Sequence, residues 1–389
     1  MFVEIHILQN FAPSNLNRDD TGMPKDCEFG GYRRARISSQ CFKRAVRNEF
    51  DAVGLIGRDL LARRTKRLVA ELAERLQAGG RDVEEAKSVI KLVLSGAELE
   101  VGSDDKTQYL LFLGNREIDK LADLCAKHWD DLAAIAASNA APTQGDSAPR
   151  RRKSAGKEAV PKEVRDATLR IFDGGKAADL ALFGRMLADL PDKNIEAASQ
   201  VAHAISTNRI SMELDYYTAV DDLKPEDTAG ADMIETVGFN SACFYRYANV
   251  DMGQLKRNLQ GDEELAQQTL EAFIRASVNA IPTGKQNSMA AHNPPSFVLA
   301  VVRRSSLWNL ANAFLKPVAP YAGEDLALRS IKALDSYWGK LTGVYGDDAI
   351  VGKSSVSLDE DGIDNLKASA VRSVDALVEN VLAETRGGL

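Results

Sequence analysis

Histidine, cysteine and long apolar runs are all scarce in this chain of 389 residues. Its four cysteines, Cys27, Cys41, Cys125 and Cys243, lack CxxC spacing, and its four histidines, His6, His128, His203 and His292, form no HxxxH pair. A zinc site is therefore not expected, and no other metal or cofactor is called for. Scattered cysteines of this kind suit a reduced, cytoplasmic setting. No apolar run approaches ~18 residues, so no segment is expected to span a membrane. The stretch Met1-Phe2-Val3-Glu4-Ile5-His6 alternates like a strand and has no charged region followed by an apolar one, which argues against a signal peptide. Basic excess is also missing. A net charge of -7 excludes indiscriminate coating of nucleic acid, so any surface for a polyanion must be local.

What the chain does have is ordinary globular composition, 44% apolar and 27% charged, with enough length for about two domains. Its positive charge is concentrated. Arg18 to Arg67 carries 13 cationic and 7 acidic side chains. Within it, Gly30 to Arg47 holds six cations and no acid. This stretch reads as a turn, a short strand and a helix that Ser38 or Ser39 can cap, leaving a positive helix end as an anion site. Gln40, Lys43, Arg44 and Arg47 share one helix face, while Phe42, Val46 and Phe50 share another that suits packing inward. Arg33, Arg34 and Arg36 sit close enough to repel unless they share an anion, and a polyphosphate is the simplest such anion.

Along the chain, Phe2–Phe11 reads as a first strand and Ala12–Phe29 as a long loop. Gly57 to about Gln200 is expected to be mainly helical: Arg58–Gln77, Val83–Leu94, a helix from Asn115 carrying Ile118 to Ile135, and Ala177–Leu190. A short strand is expected at Thr107–Leu113. Ala136–Lys162 is a low-complexity tract of Ala, Ser, Gly and Pro that includes Arg150, Arg151, Arg152, Lys153 and Lys157; it is as well suited to contact nucleic acid as to link. Ile205–Val220 and Ile234–Val250 read as a long hairpin interrupted by Lys224–Asp232. Then follow a helix over Glu263–Ala280, a loop over Pro282–Pro295, a strand over Ser296–Val302, and helices over Leu326–Leu341 and Asn365–Glu384.

Several motifs then fall in one order. They are Asn17-Arg18-Asp19-Asp20, Phe29-Gly30-Gly31 with Arg33-Arg34, Ile37-Ser38-Ser39-Gln40 with Lys43-Arg44-Ala45, Gly184-Arg185-Met186, Tyr217-Thr218-Ala219-Val220-Asp221-Asp222, Phe244-Tyr245-Arg246-Tyr247-Ala248-Asn249 and Gly284-Lys285-Gln286. Together they resemble CasC, the repeated backbone subunit of the type I-E CRISPR surveillance complex Cascade, over most of the chain. The Ala136–Lys162 tract departs from the family in composition and length. The resemblance implies an α+β fold with an RRM-like (ferredoxin-like) palm in residues 1–56 and 241–389. Helical fingers would be inserted over 57–203, with a basic loop at 136–162, and a β-hairpin thumb would lie at 204–240. It further implies a non-catalytic protein that polymerises with copies of itself along CRISPR guide RNA beside other Cascade subunits. Bases would be kinked out at intervals, the rest presented to target DNA, and cleavage left to a recruited nuclease-helicase. By resemblance the RNA contacts are Arg18, Lys25, Arg34, Ser38, Gln40, Lys43, Arg44, Arg47, Met186, Tyr216, Tyr217, Thr218, Val220, Lys285 and Gln286. Tyr216-Tyr217 stands where the family commonly has Trp-Phe, and Arg150–Lys153 with Lys157 would meet DNA.

Two other readings stay open on the sequence. Backbone subunits of type III complexes cut RNA with an early-loop aspartate, and Asp19, Asp20 and Asp26 occupy such a loop. A generic single-strand RNA chaperone would need only the basic helix.

Overall fold

The computed structural model of the chain describes residues 1–140, 160–219, 233–320 and 323–386. They build a mixed α+β fold around antiparallel strands, divided into two compact units. In chain order the strands are β1 (Phe2–Ser14), β2 (Asp26–Phe29), β3 (Tyr32–Ile37), β4 (Ala62–Thr65), β5 (Leu111–Gly114), β6 (Ser199–Val201), β7 (Ala204–Ser206), β8 (Glu213–Ala219), β9 (Met233–Asp251), β10 (Phe297–Arg303) and β11 (Ile350–Ser357).

The first unit comprises Met1–Leu55, Ser199–Gly253 and Leu270–Leu389. Its sheet runs β11-β10-β1-β9-β7-β3-β2, with β6 and β8 also paired to β9. The alternation of β1 sets its two faces. Ile5 and Ile7 point toward Phe42, Val46 and Phe273, whereas Glu4, His6 and Leu8 lie on the other face. There Leu8, Tyr245, Leu299 and Val301 pack with Phe314, Ile331, Leu334 and Trp338, the last three from the helix Leu326–Tyr345. Covered on both faces, β1 and β10 are buried almost throughout.

That second face carries polar groups in the core, each with specific partners. The Glu4 carboxylate accepts from Tyr247 Oη (2.9 Å), Trp308 N (2.6 Å) and Arg303 Nη1 (3.2 Å). Burial nonetheless raises its pKa. Tyr245 Oη accepts from Leu310 N (2.8 Å) and shares a hydrogen bond with His6 Nδ1 (2.9 Å). Burial, reinforced by the Arg303 charge, holds the His6 pKa down to about 3.

The second unit, Ile56–Ala198 with Gln254–Thr269, is mainly helical. Helices Leu68–Ala78, Val83–Gly96, Asn115–Lys127, Trp129–Ala140 and Lys162–Ile171 surround a core of Leu72, Val89, Ile90, Leu121, Leu132 and Phe172, among others. Where 57–203 was expected, the unit begins at Ile56, ends at Ala198 and adds Gln254–Thr269.

Several elements depart from the sequence reading for identifiable reasons. Ala12–Phe29 is not one loop: β1 continues to Ser14, and Asp26–Phe29 pairs with β3 across the Gly30-Gly31 turn. Arg58–Gln77 is not one helix, because Ala62–Thr65 pairs with the distant β5. The helix from Asn115 ends at His128, and the helix begun at Ala178 stops at Phe183. At the C-terminal side, Ile350–Ser357 forms a strand on β10, and the last helix spans Val374–Arg386, not Asn365–Glu384. Its sequence, Ile-Val-Gly-Lys-Ser-Ser-Val-Ser, lacks strong alternation, and pairing alone makes it a strand.

Candidate nucleic-acid interface

The helix Ser39–Ala52 (α1) follows β3 with a single residue between them. Ser38 is its N-cap, with extended backbone (φ -69, ψ 150) and its Oγ accepting from Cys41 N at 3.3 Å. The helix has no acid in its first turn, so nothing local neutralises the positive dipole end. Phe42, Ala45, Val46 and Phe50 are buried, and each of the larger ones stabilises by about 1.5–3 kcal/mol through burial. That anchorage turns Gln40 and Arg44 to solvent and leaves Lys43 and Arg47 partly exposed, as their spacing required.

A built loop faces this helix. Asn15 Nδ2 donates to the carbonyls of Gly22 (3.0 Å) and Gly238 (2.9 Å). Asn17 Oδ1 accepts from Ser38 N (2.8 Å), tying the loop to the start of α1. One Asp19 oxygen accepts from Thr21 Oγ1 (2.7 Å), Thr21 N (2.9 Å) and Met23 N (3.0 Å), and these bonds, the Thr21 hydroxyl first, hold its carboxyl below the usual range. Asp19 is thus a turn-forming carboxylate. Among the described residues no group of three or more His, Cys, Asp or Glu side chains is placed to hold a metal ion.

Loop and helix enclose a cavity of about 540 Å³, closed on a third side by Pro282, Thr283 and Gly284. Gly284 has a steric reason to be glycine: a Cβ there would lie 2.4 Å from the Leu16 carbonyl oxygen and 2.7 Å from that of Asn15. Lys285 adopts left-handed backbone (φ 50) beside it. Gln286, expected to touch RNA, instead donates through Nε2 to the carbonyls of Pro282 (3.0 Å) and Ala291 (3.4 Å) and so shapes the loop. Around the cavity and the helix start, Arg18, Lys25, Arg36, Arg44 and Lys285 have no carboxylate partner among the described residues.

The three clustered arginines do not share an anion. Arg33 pairs with the Asp26 carboxylate. Arg34 is buried and donates to four backbone carbonyls: Nη1 to Ser206 (3.0 Å) and Thr207 (2.7 Å), Nη2 to Phe314 (2.6 Å) and Leu315 (3.3 Å). It therefore cannot reach a phosphate, and its assignment to RNA is corrected to that of a clip joining β3, the segment after β7, and the segment at Phe314. Arg36 Nε donates to the Asp26 carbonyl (3.2 Å), and its Nη1 meets His203. Each guanidinium thus has its own acceptors.

Two apolar features point outward. In β8, which pairs with Met233–Phe239 of β9, Leu214 and Tyr216 fall on one side of the ribbon and are 64% and 63% exposed. Tyr217 and Thr218 are described only as backbone of that strand, and Val220 lies outside the described residues. In the second unit Met186 is 78% exposed. Gly184 (φ 76) makes that possible, since a Cβ there would sit 2.8 Å from the Ile195 carbonyl oxygen. Arg185 then locks onto the buried Glu117 carboxylate with two 2.8 Å contacts, so the next side chain projects into solvent. Arg150, Arg151, Arg152, Lys153 and Lys157 lie outside the described residues. The position that sequence reasoning passed over is His203. Its partner Arg36 lies 167 positions away, and no local pattern marks it.

A cationic helix face, a cavity beside it and the nearby cations give the first unit a local concentration of positive charge. Residues 3–381 match the profile of the CT1975-like protein family, and the chain belongs to that family. No curated protein matches. Among solved structures, the chain is similar to one from a complex described as "CRISPR RNA-guided surveillance complex, pre-nicking". That match has 32% identity, covers 98% of this chain and 99% of the other, and has a TM-score of 0.81. It is similar as well to a chain of a "CRISPR RNA-guided surveillance complex", at 28% identity, the same coverages and a TM-score of 0.71.

Proposed function

We propose that this protein is the non-catalytic backbone subunit of a CRISPR surveillance complex of the Cascade kind, polymerising along guide RNA. The observation that carries this reading is the set of cations without carboxylate partners around the start of α1, in a chain that is acidic overall. Arg18, Lys25 and Arg44 from that set, joined by Lys43 and Arg47 on the same helix, grip phosphates and position the strand without reading its sequence. The first unit serves as an RRM-like palm, the helical unit as fingers, and the β8–β9 ribbon as a thumb. Tyr216 and Tyr217 on that thumb wedge bases out of the stack, and the intervening bases are left for target DNA. Met186 meets a neighbouring copy's thumb, and the tract with Arg150–Lys153 and Lys157 meets DNA. Cutting belongs to a nuclease-helicase recruited by the complex. The long coverage and 32% identity to a surveillance-complex chain support this reading.

The test is RNA affinity against salt for Lys43→Ala with Arg44→Ala. With about 3 to 4 phosphates held per copy, the parent's salt slope is roughly -0.7 per contact, and the double variant loses one to two contacts' worth on RNA of any sequence. An unchanged affinity and slope would remove α1 from the interface.

A further inference from the structure

Arg36 stands two residues before the cap of α1, and its environment is incomplete in a specific way. Its Nη1 lies 3.0 Å from Nδ1 of His203, which sits in the exposed segment between β6 and β7. A guanidinium can only donate, so this contact requires a neutral imidazole with its proton on Nε2. Both charges acting on His203 are cationic: Arg36 from β3 and Lys25 from the segment entering β2. Asp26, next to Lys25, cannot balance them, because its carboxylate is held by Arg33 and its carbonyl by Arg36. Cys27 on β2 also feels Arg36, but burial raises its thiol pKa and keeps it neutral. Burial first, then Arg36 and Lys25, lower the His203 pKa. Three basic side chains thus act on one another at the surface, and among the described residues the solvent-facing imidazole is the one side chain hydrogen-bonded to Arg36.

We propose that Lys25, Arg36 and His203 form a phosphodiester subsite flanking the start of α1, in which a guide phosphate replaces His203 as the acceptor for Arg36 and is shared with the protonated imidazole. This rests on the guide-holding reading and adds a coupling to it: binding of the strand takes up one proton from solvent at His203. Because the free protein holds the imidazole neutral and the phosphate favours its charged form, affinity rises as pH falls toward the free histidine's pKa. Reciprocally, a bound strand raises that pKa by the same factor.

The test is fluorescence anisotropy with a labelled single-stranded RNA at constant ionic strength, from about pH 8 down to about pH 5.5, spanning histidine titration. If phosphate raises the His203 pKa by about one unit, the parent's affinity rises roughly fivefold across that range, toward a limit of about tenfold at lower pH. His203→Gln loses that gain, so its affinity no longer rises as pH falls. Arg36→Gln weakens binding at both ends and reduces the salt slope by about 0.7. Thermal melts of all three proteins, matched to within a few degrees, establish that the variants are folded. An equal pH gain for parent and His203→Gln would overturn the subsite while leaving the guide-holding reading intact. Absence of RNA binding by the parent at every pH would instead bring down that reading, and the subsite with it.

Discussion

Histidine 6 illustrates how one side chain carries a pH dependence for the whole core. In the unfolded chain its pKa is about 6.5, whereas the folded protein holds it down to about 3. The unfolded state therefore binds the proton first, and stability falls as pH drops from about 6.5 toward 3, by up to about 1.4 kcal/mol per pH unit. Glu4 works in the opposite sense over part of this window, since its raised pKa makes its protonation favour the fold above about 4.5. We expect the unfolding free energy at pH 5 to lie below that at pH 6.5 by at most about 1.6 kcal/mol, the Glu4 effect reducing it, and His6→Gln to flatten that difference. Equal unfolding free energies for the parent at the two pH values would contradict the buried, neutral assignment. At this scale the sequence is legible where partners are local. The Ser38 cap and the buried Phe42, Val46 and Phe50 follow from spacing within one helix. Arg34 does not, because its carbonyl partners lie 172 to 281 positions away, and the arginine next to it, Arg33, does face solvent.

Among elements, the ribbon of β8 and β9 is where exposure and stability come apart. Tyr216 and Leu214 stand on a two-stranded projection, so removing the Tyr216 ring takes little from the core. Tyr216→Ala is expected to change unfolding free energy by no more than about 0.5 kcal/mol. If the ring stacks on a guide base, RNA affinity falls by about 1 to 3 kcal/mol. A variant that binds RNA like the parent would take Tyr216 out of the interface. β1, β9 and β10 were legible from alternation, but the expected arm Ile205–Val220 is not one strand, since β7 ends at Ser206 and β8 begins only at Glu213. What alternation could not reveal is pairing chosen by tertiary context. Ala62–Thr65 looks helical because Arg63 and Arg64 are good helix formers, yet a partner 46 or more residues on makes it β4. Ile350–Ser357 likewise becomes a strand because β10 offers an open edge. The glycine before Lys285 could be seen in sequence, but its reason, close approach to the carbonyls of residues 15 and 16, is visible only once the loop is folded.

For the whole molecule, an acidic chain carries a local cationic groove on one unit, and a second, helical unit presents an exposed methionine. A monomeric RNA chaperone would use the groove alone. A backbone subunit uses the groove and its contacts with neighbouring copies, which makes binding cooperative along the strand. These alternatives separate in a single measurement: the mass of the purified protein assembled on single-stranded RNAs of increasing length. The account predicts species whose mass climbs in whole steps of one chain as the RNA lengthens, with long RNAs filled in preference to partly covered ones. A single copy bound per RNA whatever its length, or no bound RNA at all, would contradict it.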